Sequence, residues 1–115
     1  MRVMLFNERF AESVRLGVKR HTIRERPMVK PGDQVSLRMW SGKAYRSKQT
    51  VLREAEVVAV VPIIIGRDWL RFNGVQVSNP NGLAHEDGFF NFEDMRDYFA
   101  REYGLPFLGW LIRWR

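Results

Sequence analysis

Gly17-Val18-Lys19-Arg20-His21-Thr22-Ile23-Arg24 joins a short amphipathic segment to the first β-like stretch of the chain, and the bend within it decides which side chains can meet. Upstream, Asn7 is a helix-capping residue type, Phe10 and Val14 lie one helical turn apart, and Gly17 is suited to end a helix. These signals predict a helix over about 8 to 16. Downstream, Arg20 to Arg24 has a β-branched centre and runs toward Pro27, so it reads as a strand closed by a turn. In a regular strand Thr22 shares a face with Arg20 and Arg24, while Lys19 points the other way beside His21. Lys19 meets Thr22 only if the backbone bends at the helix-to-strand junction, where Gly17 supplies the freedom.

Beyond that junction, Lys30-Pro31-Gly32-Asp33 is a turn, and Val35, Leu37 and Met39 then alternate with Gln34, Ser36 and Arg38 in the period of a half-buried strand. Ser41-Gly42-Lys43 turns again. Gln49 to Ile65 is rich in β-branched residues, enough for one long bent strand or two short ones meeting near Pro62. Asp68 to Val77 predicts a hairpin about Asn73-Gly74, and Asn79-Pro80-Asn81-Gly82 opens a loop carrying His85, Glu86, Asp87 and Gly88. Asn91 caps a second helix, with Phe92, Met95 and Phe99 on one face and Gly104 and Pro106 to stop it. Leu108, Trp110, Ile112 and Trp114 are expected on the buried face of a closing strand, with Arg113 and Arg115 opposite. Five to six short strands and two helices predict one small α+β domain over residues 1–115, built as a curled sheet or barrel.

The charge is unevenly spread. Residues 1–53 carry thirteen Lys/Arg against four Asp/Glu, whereas residues 54–115 carry six against nine. A positive half attracts polyanions, so RNA, a nucleotide or a modified nucleoside is the expected partner. The chain has no cysteine and two histidines, neither with a second ligand at metal spacing, so no metal or cofactor is expected. The apolar runs Val3 to Phe6 and Val57 to Ile65 are too short for a secretory or membrane-spanning segment, and a soluble, cytoplasmic protein is expected.

Lys19 and Thr22 are a reactive-type pair of cation and hydroxyl, and Arg20 and Arg24 are permanent cations suited to holding a phosphate. Lys43, Arg46 and Lys48 around Tyr45 suit a phosphate or single-stranded contact, and Trp40, at a strand end, suits base stacking. Trp110 and Trp114 read as core, and His21 reads as a packed or solvated imidazole.

The G-x-K-x-x-T-I-R element after a short helix, the Pro-Gly-Asp turn opening a strand, and Ala84, Asp87, Gly88 and Phe89 before an amphipathic helix resemble the ASCH domain family over nearly the whole chain. That resemblance implies a PUA-like β-barrel with a cleft floored by Lys19, Thr22 and Arg24, and binding of RNA or a modified nucleoside. It is similar in particular to the N4-acetylcytidine amidohydrolase branch, which implies Lys19, Thr22 and an acid as catalytic residues. The acid is Asp87 or its neighbour Glu86; those enzymes carry glutamate there. Phe89 and Phe90 read as core residues anchoring the helix, with Phe89 alternatively closing over a base at the cleft mouth. Two functions stay open: hydrolysis of an acyl amide on a modified cytidine, and RNA or nucleotide binding without catalysis. A ribonuclease is a third.

Two chemical roles for Lys19 depend on where the acid sits. A carboxylate against the amine makes the acid a base or proton shuttle and Lys19 the cation that stabilises an oxyanion. A more distant carboxylate leaves a neutral Lys19 to activate Thr22.

Overall fold

The computed structural model describes all residues, Met1–Arg115. Its elements run β1 (Arg2–Leu5), α1 (Glu8–Arg15), β2 (His21–Arg24), β3 (Gln34–Trp40), β4 (Gln49–Ile65), β5 (Leu70–Phe72), β6 (Val75–Gln76), α2 (Pro80–Glu86), α3 (Phe92–Glu102) and β7 (Phe107–Trp114). The molecule is α+β, with seven strands and three helices where the sequence pattern predicted five to six and two. No helix is long and apolar enough to cross a membrane.

β4 organises the sheet. Its first half pairs antiparallel with β3, from Gln49 opposite Trp40 to Glu56 opposite Gln34, and its second half pairs antiparallel with β7, from Val57 opposite Trp114 to Ile65 opposite Phe107. The β-branched run therefore forms one strand of 17 residues, and its register shifts fall at Leu52, opposite Leu37 and Arg38, and between Val57 and Ala59, rather than at Pro62. β1 joins β3 in parallel and β2 joins β7 antiparallel, which makes the sheet mixed. No ladder links β1 to β2, so the sheet is not closed. A side chain spans the gap instead: Arg24 Nη2 donates to the Leu5 carbonyl at 2.8 Å.

Val35 and Leu37 of β3, Val57, Ile63 and Ile65 of β4, and Leu111 and Ile112 of β7 form the floor of one core. Phe10 and Val14 of α1 and Met95 and Phe99 of α3 cover it, as the helical spacing of those residues requires. Asn7 caps α1 by accepting from Arg9 N, and Asn91 caps α3 by accepting from Asp94 N.

Two expectations drawn from local pattern do not hold. Asn79-Pro80-Asn81-Gly82 does not open a loop: Asn79 caps α2, whose first turn holds Pro80, so Asp87 sits at the C-cap of a helix. Proline lacks an N–H and fits the first helical turn, where that hydrogen has no partner anyway. β7 also does not bury one alternating face. Leu108 is 63% exposed and Trp110 half-buried, while Phe107, Gly109 and Leu111 are buried and, past them, Ile112 and Trp114. The covering layer changes along the strand. Phe107 packs on Phe99 of α3 at 4.7 Å between ring centroids, whereas Trp114 meets Phe6 edge-on at 5.8 Å.

Candidate functional site

The bend at Lys19 comes from the end of α1. Gly17 takes φ +77°, and the N–H groups of Val18 and Lys19 both donate to the Ser13 carbonyl at 2.9 Å. β2 starts only at His21, so Lys19 is free of strand alternation and its side chain turns inward, 2% exposed. From the other end of the chain, α2 delivers Asp87, also 2% exposed, and Gly88 comes next at φ +97°. A Cβ at Gly88 would stand 2.9 Å from Phe10 Cδ1 and 3.5 Å from Lys19 Cδ, so this position needs glycine for space as well as for backbone sign.

Lys19 Nζ donates to the Asp87 main-chain carbonyl and lies 3.0 Å from Asp87 Oδ1. His21 Nδ1 is 2.8 Å from that same oxygen. A carboxylate only accepts, so the proton between them belongs on Nδ1. His21 Nε2 makes no hydrogen bond, although Glu86 Oε2 is 3.5 Å away. His21 is thus wholly buried and holds the acid in place, a role the strand pattern does not reveal because it depends on a residue 66 positions away.

Burial lowers the Lys19 pKa from its ordinary value because the charged ammonium loses its water. The Asp87 carboxylate and its hydrogen bond oppose that effect without cancelling it, and the Arg24 cation adds a smaller push downward. The rings of Phe10 and Phe6, 4.8 and 5.9 Å from Nζ, give the ammonium a partial substitute for water.

Thr22 is buried on the opposite face of β2 from His21 and shares that face with Arg24, as alternation requires. Arg24 Nε donates to Thr22 Oγ1 at 3.2 Å, and its guanidinium lies 5.0 Å from the Phe6 centroid. No hydrogen bond joins Thr22 to Lys19 or to Asp87. All four side chains nevertheless line one cleft of about 110 Å³, walled by Phe6, Phe10, Phe89, Tyr98 and Tyr103. Burial raises the Tyr98 pKa, so its phenol stays a neutral hydrogen-bonding group. Tyr98 on α3 and Tyr103 at its C-cap carry no sequence signal for the cleft, because the apolar periodicity of the helix marks only Phe92, Met95 and Phe99.

The remaining residues expected at the site divide clearly. Phe89 is buried and forms cleft wall, edge-on to Phe10 at 5.2 Å. Glu86 is exposed outside the cleft, between His21 and Arg113. Arg20 is exposed as well; its Nε donates to the Gly17 carbonyl at 3.3 Å, and it lines a separate groove. Trp40 and Tyr45 lie against each other at 5.2 Å, with Arg46 and Lys48 exposed nearby in sequence, and none of the four reaches the cleft.

Comparison of the chain with family models, with curated proteins and with solved structures gives no match.

Proposed function

We propose that the cleft hydrolyses an acyl amide carried on the exocyclic nitrogen of a modified cytidine. The observation that carries this is the convergence of Thr22, Lys19, Arg24 and Asp87, drawn from two distant segments, in one small apolar-walled cleft. Its size favours a small substrate. About 110 Å³ falls below the roughly 300–1,000 Å³ of pockets that enclose drug-sized ligands, so an acylated base edge enters and its sugar stays outside. The companion proposal for the fold is a PUA-like barrel, supported by the approach of β1 and β2 at the Arg24–Leu5 bond.

Each residue then has a task. Arg24 Nε donates to Thr22 Oγ1, which leaves the hydroxyl proton free to depart and favours negative charge on that oxygen. Asp87 accepts both Lys19 and His21 through Oδ1, and Oδ2 is the oxygen left to take the Thr22 proton once substrate closes the site. Thr22 Oγ bonds to the acyl carbon while Lys19 steadies the oxyanion. The C–N bond breaks as Asp87 passes the proton to the departing nitrogen. Water then cleaves the threonyl ester and releases the carboxylic acid.

The experiment is turnover of N4-acetylcytidine by the wild-type chain and by Lys19→Ala, Thr22→Ala and Asp87→Asn. Loss of about 10²-fold or more in each variant is expected from removal of a nucleophile, base or oxyanion donor. Equal turnover in all four proteins refutes the proposal.

RNA binding without turnover is a second function, favoured by one observation. Tyr45 is 86% exposed against Trp40, beside Lys43, Arg46 and Lys48, an arrangement suited to stacking unpaired bases. A labelled single-stranded RNA that binds wild type and loses affinity in Trp40→Ala and Tyr45→Ala supports it.

A further inference from the structure

A second concavity of about 500 Å³ shares Lys19 with the cleft and is otherwise lined by Gly17, Arg20, Arg53, Arg113, Trp114 and Arg115, among others. The arginines come from three places in the chain: the lead into β2, the β3-paired half of β4, and the end of β7. No acidic side chain lines the groove. Glu86 holds Arg113 and Glu56 holds Arg115, each at 3.3 Å and in solvent-exposed geometry, where such pairs are worth little. Arg20 and Arg53 have no acidic partner.

The backbone makes room for this cluster. Arg53 lies over Gly17 so closely that a Cβ there would stand 3.1 Å from Arg53 Nη2. Gly17 thus admits a guanidinium against the turn that also aims Lys19. Four like charges around one concave surface repel one another and focus a positive potential into it, which favours an anion carrying several charges. All four exposed cations are arginine, whose planar fork matches phosphate oxygens two at a time.

We propose that this groove is a phosphate-binding site, taking adjacent phosphoryl groups of a nucleic-acid backbone or of a nucleotide polyphosphate. It shares only Lys19 with the cleft, and its arginines do not depend on the hydrolytic proposal. The assay is fluorescence anisotropy of a labelled cytidine hexaribonucleotide over a salt series, with unlabelled inorganic pyrophosphate as competitor. Arg20→Gln/Arg53→Gln is compared with wild type and with Arg67→Gln/Arg101→Gln, which removes equal charge outside the groove.

Loss of two phosphate contacts is expected to flatten the log–log salt slope by about 1.4, a loss of about 25-fold at 0.1 M salt, at roughly 0.7 per contact on a single strand. The control double variant is expected to retain most of the affinity. Displacement by pyrophosphate at micromolar concentration identifies a nucleotide-type polyphosphate; resistance to it identifies the backbone. The proposal is overturned if neither probe binds, or if the two double variants weaken binding equally. Near-ultraviolet circular dichroism of each variant confirms that exposed substitutions left the fold intact.

Discussion

Lys19 Nζ and Asp87 Oδ1 lie 3.0 Å apart with both side chains almost wholly removed from water. Neither charge has bulk solvent to fall back on, so each depends on the other and on the Asp87 carbonyl, His21 and the phenylalanine rings around them. Breaking such a pair from one side leaves an uncompensated buried charge. Lys19→Met and Asp87→Ala are each expected to cost about 3–5 kcal/mol of stability, whereas the double variant costs clearly less than the two together. Urea unfolding of the four proteins reads this directly, and strict additivity counts against a coupled pair.

The same burial gives stability a sign with pH. Lys19 has a lower pKa folded than unfolded, so between the folded value and the ordinary value of 10.5 the unfolded chain holds more protons. Stability from this group therefore rises as pH climbs through that window, and below it the full cost of burying the ammonium is present. The difference in unfolding free energy between wild type and Lys19→Met is expected to move in favour of wild type as pH approaches 10.5. A difference that is flat with pH contradicts the burial-dominated shift.

The proposed hydrolysis gives an opposite readout of the same proton. If Lys19 steadies an oxyanion as an ammonium, the rate falls as pH rises through its lowered pKa; if neutral Lys19 were the base, the rate would rise there. With Asp87 Oδ1 against the amine, the falling limb is expected. A pH–rate profile on N4-acetylcytidine distinguishes the two.

Gly88 joins the acid to the core. Any side chain at φ +97° is strained, and a Cβ would also press on Phe10. Gly88→Ala is expected to destabilise by about 1–3 kcal/mol. Displaced Phe10 and Asp87 would also lower the proposed turnover beyond what lost stability explains. Thermal unfolding alongside turnover below the transition measures both.

Local pattern was legible wherever one element settles its own hydrogen bonds. Asn7 and Asn91 cap the helices their side chains suggested, and the hairpin turns at Asn73-Gly74. β3 is a strand as Val35 and Leu37 require, but burial does not alternate along it, because Ser36 is as fully buried as they are and Met39 only partly so. Asn79-Pro80 failed because the same pair suits a turn and a helix start, and only packing of α2 on α3 decides between them. Leu108 failed because a strand covered by α3 at one end and Phe6 at the other does not keep one buried face. Lys19 and Asp87 are 68 positions apart, so no spacing rule joins them. His21 likewise reaches Asp87 through tertiary contact alone.

The most direct test is covalent. The wild-type chain is mixed with N4-acetylcytidine, quenched rapidly in acid and mapped by peptide mass spectrometry. An acetyl group on the peptide containing Thr22, absent from Thr22→Ala and cleared on continued incubation, is the expected result. Cytidine released at the wild-type rate by Thr22→Ala, with no acetyl group on either protein, contradicts threonine as the nucleophile of this cleft.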